Sequence, residues 1–451
     1  MKRNDFLRFS ASAAFGAAFI HFPGHFPGHS PWHSPWRSLR DSSGPSLGRR
    51  TGPDAAVAPW PPPDAPEEQF WDFVREQFPL SHERAYLNTG GLGASPFAVI
   101  DAVKGKMDEL EKTCETGHSE ELWDGIKRDA GALLGCDAAE IAFTRNTTEG
   151  INIVANGLPL RRGDEIILTT QEHVGNSFTW LALAKHEGVV LRLFEPSTAS
   201  DVENIDRLTR CITKKTRLIS IPHALTTTGT LMPVAQIARI AAEKKIWFFI
   251  DGAQTAGMLP FNLHEIGCDA YATSGHKWLL GPKETGLLYV RREMLDTIRA
   301  TFVGAYSGGD FDLLKGTVGF NASAQRYEYG TVSAPLRVGL GAALAFIRKI
   351  GIERIWKRDM MLADSLVAGL GGMPDIVLLS PARAEARSAM ITIMHRTIGH
   401  EKLQAHLDTY NLRTRSVTEG GLRALRLSFH VYNTPGEVTR ILEGLSTAPK
   451  G

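Results

Sequence analysis

Short apolar runs alternate along most of this chain with stretches whose apolar residues recur every three or four positions. The short runs fall at 140–144, 164–169, 189–194, 216–221, 246–250, 269–273 and 286–290. They are rich in aromatic and β-branched residues, and their length predicts buried strands rather than helices. The stretches at 97–110, 123–134, 151–156 and 233–245 read as helices; the last places Val234, Ile237, Ile240 and Ala241 on one face. Strand, helix, strand at this spacing predicts an α/β fold with a large, mostly parallel seven-stranded sheet.

The pattern changes after Met294. Residues 302–312 hold several glycines and read as a loop, and 335–350 read as an apolar, Gly- and Ala-rich helix joining two domains. Candidate strands at 375–379, 390–394 and 425–429 predict a small C-terminal α/β domain over 351–451. Near the other end, Phe70, Trp71, Phe73, Val74 and Phe78 have helical spacing, so the large domain is expected to begin near Glu67 and to run to about 350.

Residues 1–66 have a different character. A basic start is followed by a small-residue, weakly apolar stretch with few acids, the outline of an export signal. The segment from Arg3 to Arg8 resembles a twin-arginine motif with Asn4 in place of the second arginine. Two readings stand: an exported, periplasmic protein, or a cytoplasmic one with an N-terminal extension. Residues 21–37 form a degenerate repeat, HFPG, HFPG, HSPW, HSPW, R, and proline continues to 66. Proline and glycine at this density oppose helix and sheet, which predicts a linker. The four histidines of the repeat are weak metal ligands at most, and no metal site is predicted.

At 451 residues the chain is long enough for a large α/β domain and a smaller one. A formal net charge of +1 gives no reason to expect a nucleic-acid partner. No apolar run is long enough for a membrane span. The four cysteines, Cys114, Cys136, Cys211 and Cys268, lack CxxC or metal-ligand spacing and read as free thiols.

The candidate chemistry gathers in 246–290. One predicted strand ends on Asp251, and another leads into Ser274-Gly275-His276-Lys277, so an Asp and a Lys 277 − 251 = 26 positions apart reach one mouth of the sheet. That mouth is where open α/β sheets bind ligands. A lysine can form a Schiff base with a carbonyl, and an aspartate can keep a pyridinium nitrogen protonated, which is the pair that pyridoxal 5'-phosphate (PLP) needs. A surface lysine and a helix-capping aspartate are the plain alternative. Upstream, the turn Arg145-Asn146-Thr147-Thr148 between a strand and a helix offers free N–H groups and hydroxyls to an anion, or simply an N-cap.

DGAQ followed by SGHKWLLGPKETGLLYV resembles the class V aminotransferase family of fold type I PLP enzymes, which includes cysteine desulfurases, isopenicillin N epimerases, aminotransferases and lyases. Further motifs follow in order: YLNTG at 86–90, QEHVGN with Trp180, RYEYGT at 326–331 and RLSFHVYNT at 426–434. The resemblance implies that Thr147, Thr148, Ser274 and His276 hold the cofactor phosphate, that His173 stacks on the ring, and that Gln254 bonds its phenolic oxygen. It implies Asp251 on the ring nitrogen and Lys277 as the Schiff-base lysine and proton shuttle. Thr226 stands where desulfurases usually carry an asparagine that donates to the ring hydroxyl. Arg426 is expected to take the substrate carboxylate as a planar fork, with Arg415 or Arg413 assisting and Asn88 near the substrate. Gly330 and Thr331 are expected to reach the phosphate of a second subunit, implying a homodimer with shared sites.

Family desulfurases place a nucleophilic cysteine on the loop before the carboxylate arginine. Here 415–426 reads RSVTEGGLRALR. The expectation is therefore an aminotransferase or an isopenicillin N epimerase-like enzyme acting at the α-carbon of an amino acid. The alternatives are a cysteine desulfurase, a selenocysteine lyase-like enzyme or another C–S lyase, and, from a different class, a non-catalytic PLP-fold interaction module.

Overall fold

A computed structural model describes residues 59–62 and 64–449. The export-like leader, the HFPG/HSPW repeat and nearly all of the proline-rich segment lie outside the described residues. The strands, in order, are β1 (Ala85–Tyr86), β2 (Ile141–Thr144), β3 (Glu165–Thr169), β4 (Val190–Phe194), β5 (Thr216–Pro222), β6 (Trp247–Asp251), β7 (Ala270–Ser274), β8 (Gly286–Val290), β9 (Gly308–Asp312), β10 (Thr317–Phe320), β11 (Ile376–Leu378), β12 (Met390–His395), β13 (Leu412–Arg413), β14 (Arg415–Val417) and β15 (Ala424–Ser428).

Seven of them form the large sheet in the order β2-β8-β7-β6-β5-β3-β4. Neighbours pair in parallel except around β8, which runs against both β2 and β7. Side chains alternate across the sheet, as a period of two demands. Phe248 and Ile250 point into one core with Ile219, Ile237 and Leu340. Phe249 points into the other with Leu168, Ile151 and Trp180. All of these are buried, and each such side chain contributes about 1.5–3 kcal/mol on burial. Covering both faces is what lets the inner strands be mostly apolar, and it leaves their C-terminal ends as the place for chemistry.

The helix after β2 runs Thr147–Gly157 and so begins four residues before the expected 151. Asn146 caps it by accepting the Glu149 N–H, so neither threonine is needed as a cap. The expected loop over 302–312 is partly a hairpin: β9 and β10 pair antiparallel. Alternation there is obscured because the hairpin buries no face; Phe311, Leu313 and Leu314 are exposed.

The second sheet, β11-β12-β15-β14, is antiparallel and packs on helices Ile352–Leu370, His400–Asp408 and Pro435–Ser446. Its core joins Leu362, Leu366, Ile391, Leu427 and Ile441. One connection is not visible in local pattern. β1 pairs in parallel with β13, and Asn88 bridges to Ser428. The segment carrying YLNTG is thereby built onto the C-terminal part of the chain, more than 300 positions away in sequence. Packing also reaches back before Glu67, where Trp60 lies against Phe70, Phe73 and Phe346.

Candidate active site

The C-terminal ends of β2, β3, β5, β6 and β7 open into one cavity of ≈ 270 Å³. Its lining includes Thr147 and Thr148 after β2, His173 after β3, Thr226 after β5, Asp251 at the end of β6, and Ser274, His276 and Lys277 after β7. Arg415 enters from β14 and Gly90 and Gly91 from the YLNTG turn. Nine of the residues named from the sequence are therefore neighbours, although the chain separates the outermost by 415 − 147 = 268 positions.

Lys277 is buried beneath the cavity. Burial brings its pKa down from 10.5 to about 8; Asp251 opposes this and Arg426 and Arg415 reinforce it. Desolvation disfavours the charged amine, so a usable fraction is neutral and nucleophilic near neutral pH. The Asp251 carboxylate is fixed by the Ala253 N–H at 2.9 Å on Oδ1.

The His173 ring caps the next helix, Val174–Glu187, with Nδ1 accepting from Gly175 N–H at 3.0 Å. A backbone N–H only donates, so the proton of the neutral ring sits on Nε2. Burial first, and the Lys277 charge second, hold His173 below its ordinary pKa and favour that neutral ring. Gly175 is required by close approach: a Cβ there would lie 2.4 Å from Thr148 Oγ1 and 3.1 Å from His173 Nδ1.

The anion end is built from the helix start at Thr147. Thr147 N–H donates to Ser274 Oγ at 3.1 Å, and the two hydroxyls meet at 2.7 Å. The Asn146 cap leaves the Thr148 hydroxyl out of the helix's own bonding. His276 Nδ1 is buried without a partner among the described residues, and burial takes its pKa down to about 4. An anion-receptive helix start, an unpartnered buried imidazole nitrogen, a flat neutral ring, a fixed carboxylate and a desolvated lysine fit a phosphorylated pyridine aldehyde.

The tertiary structure adds neighbours to three of the expected positions. Gln254 is buried and is not part of the cavity lining. Its Oε1 accepts from Trp278 Nε1 at 2.9 Å, and its Nε2 donates to Gly90 O at 2.9 Å and Thr226 Oγ1 at 3.2 Å. Both amide hydrogens are engaged, so the expected bond to a ring oxygen has no donor left. Arg426 is wholly buried behind Thr226, with Nη1 donating to Thr226 O and Oγ1, both at 2.7 Å. Its Nη2 lies 3.4 Å from Asn88 Oδ1, its Nε has no partner among the described residues, and burial lowers its pKa to about 9. Gly330 and Thr331 do not line this cavity; Thr331 faces a separate cleft with Phe143 and Tyr329.

Sequence reasoning passed over Glu172 and Trp278. Glu172 lies under His173, with Oε1 accepting from Thr169 N–H and hydroxyl at 2.9 and 2.8 Å and Oε2 from Asn176 Nδ2 at 2.8 Å. Burial raises its pKa to about 7. The four-residue step from Asn176 to Trp180 on one helix face, with Glu172 four positions ahead of Asn176 just before the helix, was the available signal. Trp278 adjoins Lys277, and its carbonyl receives His430 Nε2 at 3.0 Å. His430 Nδ1 in turn meets Asp359 Oδ2 at 2.8 Å, both fully buried.

Comparison with known proteins agrees with this geometry. The family model described as aminotransferase class-V matches residues 111–441. A probable cysteine desulfurase of Pyrococcus abyssi is 26% identical over 386 residues, which cover 82% of this chain and 95% of the relative. A cysteine desulfurase of Klebsiella pneumoniae is 29% identical over 402 residues, covering 84% and 98%. Among solved structures, the cystine C–S lyase C-DES in complex with its reaction product cysteine persulfide superposes with a TM-score of 0.76. It is 27% identical, and the match covers 83% of this chain and 100% of that one.

Proposed function

This chain belongs to the class V aminotransferase family and is a PLP-dependent enzyme; from that premise we propose that it is a C–S lyase. It cleaves the Cβ–S bond of a sulfur-bearing amino acid and releases the sulfur directly to a small product. One observation carries the reading. The similar proteins named above are desulfurases and a C–S lyase, while 415–426 holds no cysteine and none of the four cysteines lines the cavity. The first part moves the reading from the expected aminotransferase or epimerase to the C–S alternative. The second disfavours the branch in which a protein thiol takes the sulfur. Cys268 is buried and Cys136 partly so, and burial pushes both thiols far up in pKa, away from nucleophilic thiolate.

In this proposal the cofactor, when bound, supplies an electron sink for the α-carbon. Thr147, Thr148, Ser274 and His276 hold its phosphate. Asp251 would keep the ring nitrogen protonated, and the neutral His173 would lie against the ring. Lys277 Nζ would hold the cofactor and would be the group that moves the α-proton. Arg426, assisted by Asn88 and Arg415, grips the substrate carboxylate through the donors that Thr226 does not engage. Gly330 and Thr331 complete the phosphate site of a second subunit in a homodimer.

For cystine the net reaction is cystine plus water to cysteine persulfide, pyruvate and ammonia, which balances without an oxidant or reductant. The test is incubation of the PLP-loaded protein with cystine or with cysteine, without a 2-oxo acid. Pyruvate formed from cystine in step with persulfide is the expected result. Amino-group loss that needs a 2-oxo acid, or inversion at the α-carbon without pyruvate, would overturn it in favour of the aminotransferase or the epimerase.

A further inference from the structure

The hydrogen bonds around Gln254 fix the direction of a proton. Trp278 Nε1–H can only donate, and the Gly90 carbonyl can only accept. These two fixed-polarity groups flank the Gln254 amide at 2.9 Å each. They allow a single orientation: Oε1 toward the indole and Nε2 toward Gly90 and Thr226. The reversed amide would set donor against donor and acceptor against acceptor. The assignment therefore follows from chemistry and not from the placement of N and O.

Thr226 Oγ1 then receives two donors, Gln254 Nε2 at 3.2 Å and Arg426 Nη1 at 2.7 Å. A threonine hydroxyl has two acceptor positions and one hydrogen. With both acceptor positions filled by donor-only groups, the hydrogen turns elsewhere. The side left to it is the cavity, which Thr226 lines and Gln254 does not.

We propose that Thr226 Oγ1–H, and not the Gln254 amide, is the donor this cavity presents to the phenolic oxygen of the cofactor, and that Trp278 and Gln254 are positioning residues that aim it. The inference rests on the reading that PLP occupies this cavity. It departs from the role that family resemblance gives Gln254. It also ties substrate binding to the cofactor, because Arg426, the carboxylate anchor, shares the Thr226 oxygen. A donor on the phenolic oxygen draws negative charge from it. The nitrogen joining Lys277 to the cofactor then gives up its proton more readily, and removing the donor makes that proton harder to lose.

The experiment is a pH titration of the visible absorbance of the PLP-loaded full chain, comparing wild type with Thr226→Val, Thr226→Ser, Trp278→Phe and the double variant Thr226→Val/Trp278→Phe. Losing one hydrogen bond to a charged oxygen shifts such a midpoint by about one to two pH units. Thr226→Val is expected to raise the midpoint by that amount, while Thr226→Ser, which keeps the hydroxyl, stays with wild type. Trp278→Phe removes one of the two groups that hold the amide in its orientation and is expected to raise the midpoint by less, with no further rise in the double variant. An unmoved midpoint in Thr226→Val overturns the assignment of the donor. An unmoved midpoint in Trp278→Phe, or one that adds in full to Thr226→Val, overturns the positioning role. If Thr226→Val does not fold, Thr226→Ala gives the same reading. A wild-type protein with no visible band upon loading refutes the cofactor site itself, which is a separate failure.

Discussion

Lys277 gives the most direct test of the electrostatics of the site. Its pKa stands at about 8 against the ordinary 10.5, with burial as the largest cause. A difference of 2.5 units corresponds to about 3 kcal/mol against the charged form. At pH 7 about 9% of the side chain is neutral, against about 0.03% for an ordinary lysine, a ratio of about 300. The assay is acetylation of the cofactor-free protein over a pH series, with Lys277 followed by peptide mass spectrometry and the exposed lysines as internal reference. The rate for Lys277 is expected to rise with a midpoint near pH 8 and level off above it. Sign checks come from its neighbours. Asp251→Asn removes the charge that favours the ammonium, so the midpoint falls; Arg415→Met removes one that opposes it, so the midpoint rises. A wild-type midpoint near 10, or shifts opposite to these, would refute the account of a desolvated lysine between one carboxylate and two guanidiniums. Lys277→Ala, the companion control, is expected to fold and to lose all turnover.

Three further outcomes follow from particular contacts. Arg426→Lys replaces a planar fork by a point donor at a fully buried position, and steady-state kinetics are expected to show KM for the amino acid substrate raised about 10–100-fold. Gly175→Ala forces Thr148 Oγ1 or His173 to move from the 2.4 and 3.1 Å approaches, so equilibrium titration of the cofactor-free protein is expected to show PLP affinity falling about 10-fold or more. Asp359→Ala leaves His430 buried without its partner, and chemical denaturation is expected to show a loss of about 3–5 kcal/mol; a loss below 1 kcal/mol would mean that the pair is not a structural clamp behind Trp278.

The large sheet was legible in the sequence because its inner strands are buried on both faces, while β4 at the edge leaves Val190 and Leu193 exposed. β6, β7 and β8 are buried along their whole length apart from Trp247, with polar residues only at the C-terminal ends of β6 and β7, and the observed bounds differ from the expected ones by about one residue. The hairpin of β9 and β10 was not legible, since a hairpin that buries no face has no alternation to read. Asp251, Lys277 and the threonine turn could be placed in one site from sequence because strand ends in a parallel sheet must share a mouth. Local pattern alone could not show that β1 pairs with β13, which puts Asn88 beside Arg426; such pairing depends on the complementarity of surfaces far apart in the chain. It could not show that the Gln254 amide is fully engaged by Trp278, Gly90 and Thr226 either. Which residues are candidates for the chemistry was set by residue type and strand position. Which way each proton points was decided by tertiary neighbours of fixed polarity, because a hydrogen bond has a direction that sequence spacing does not encode.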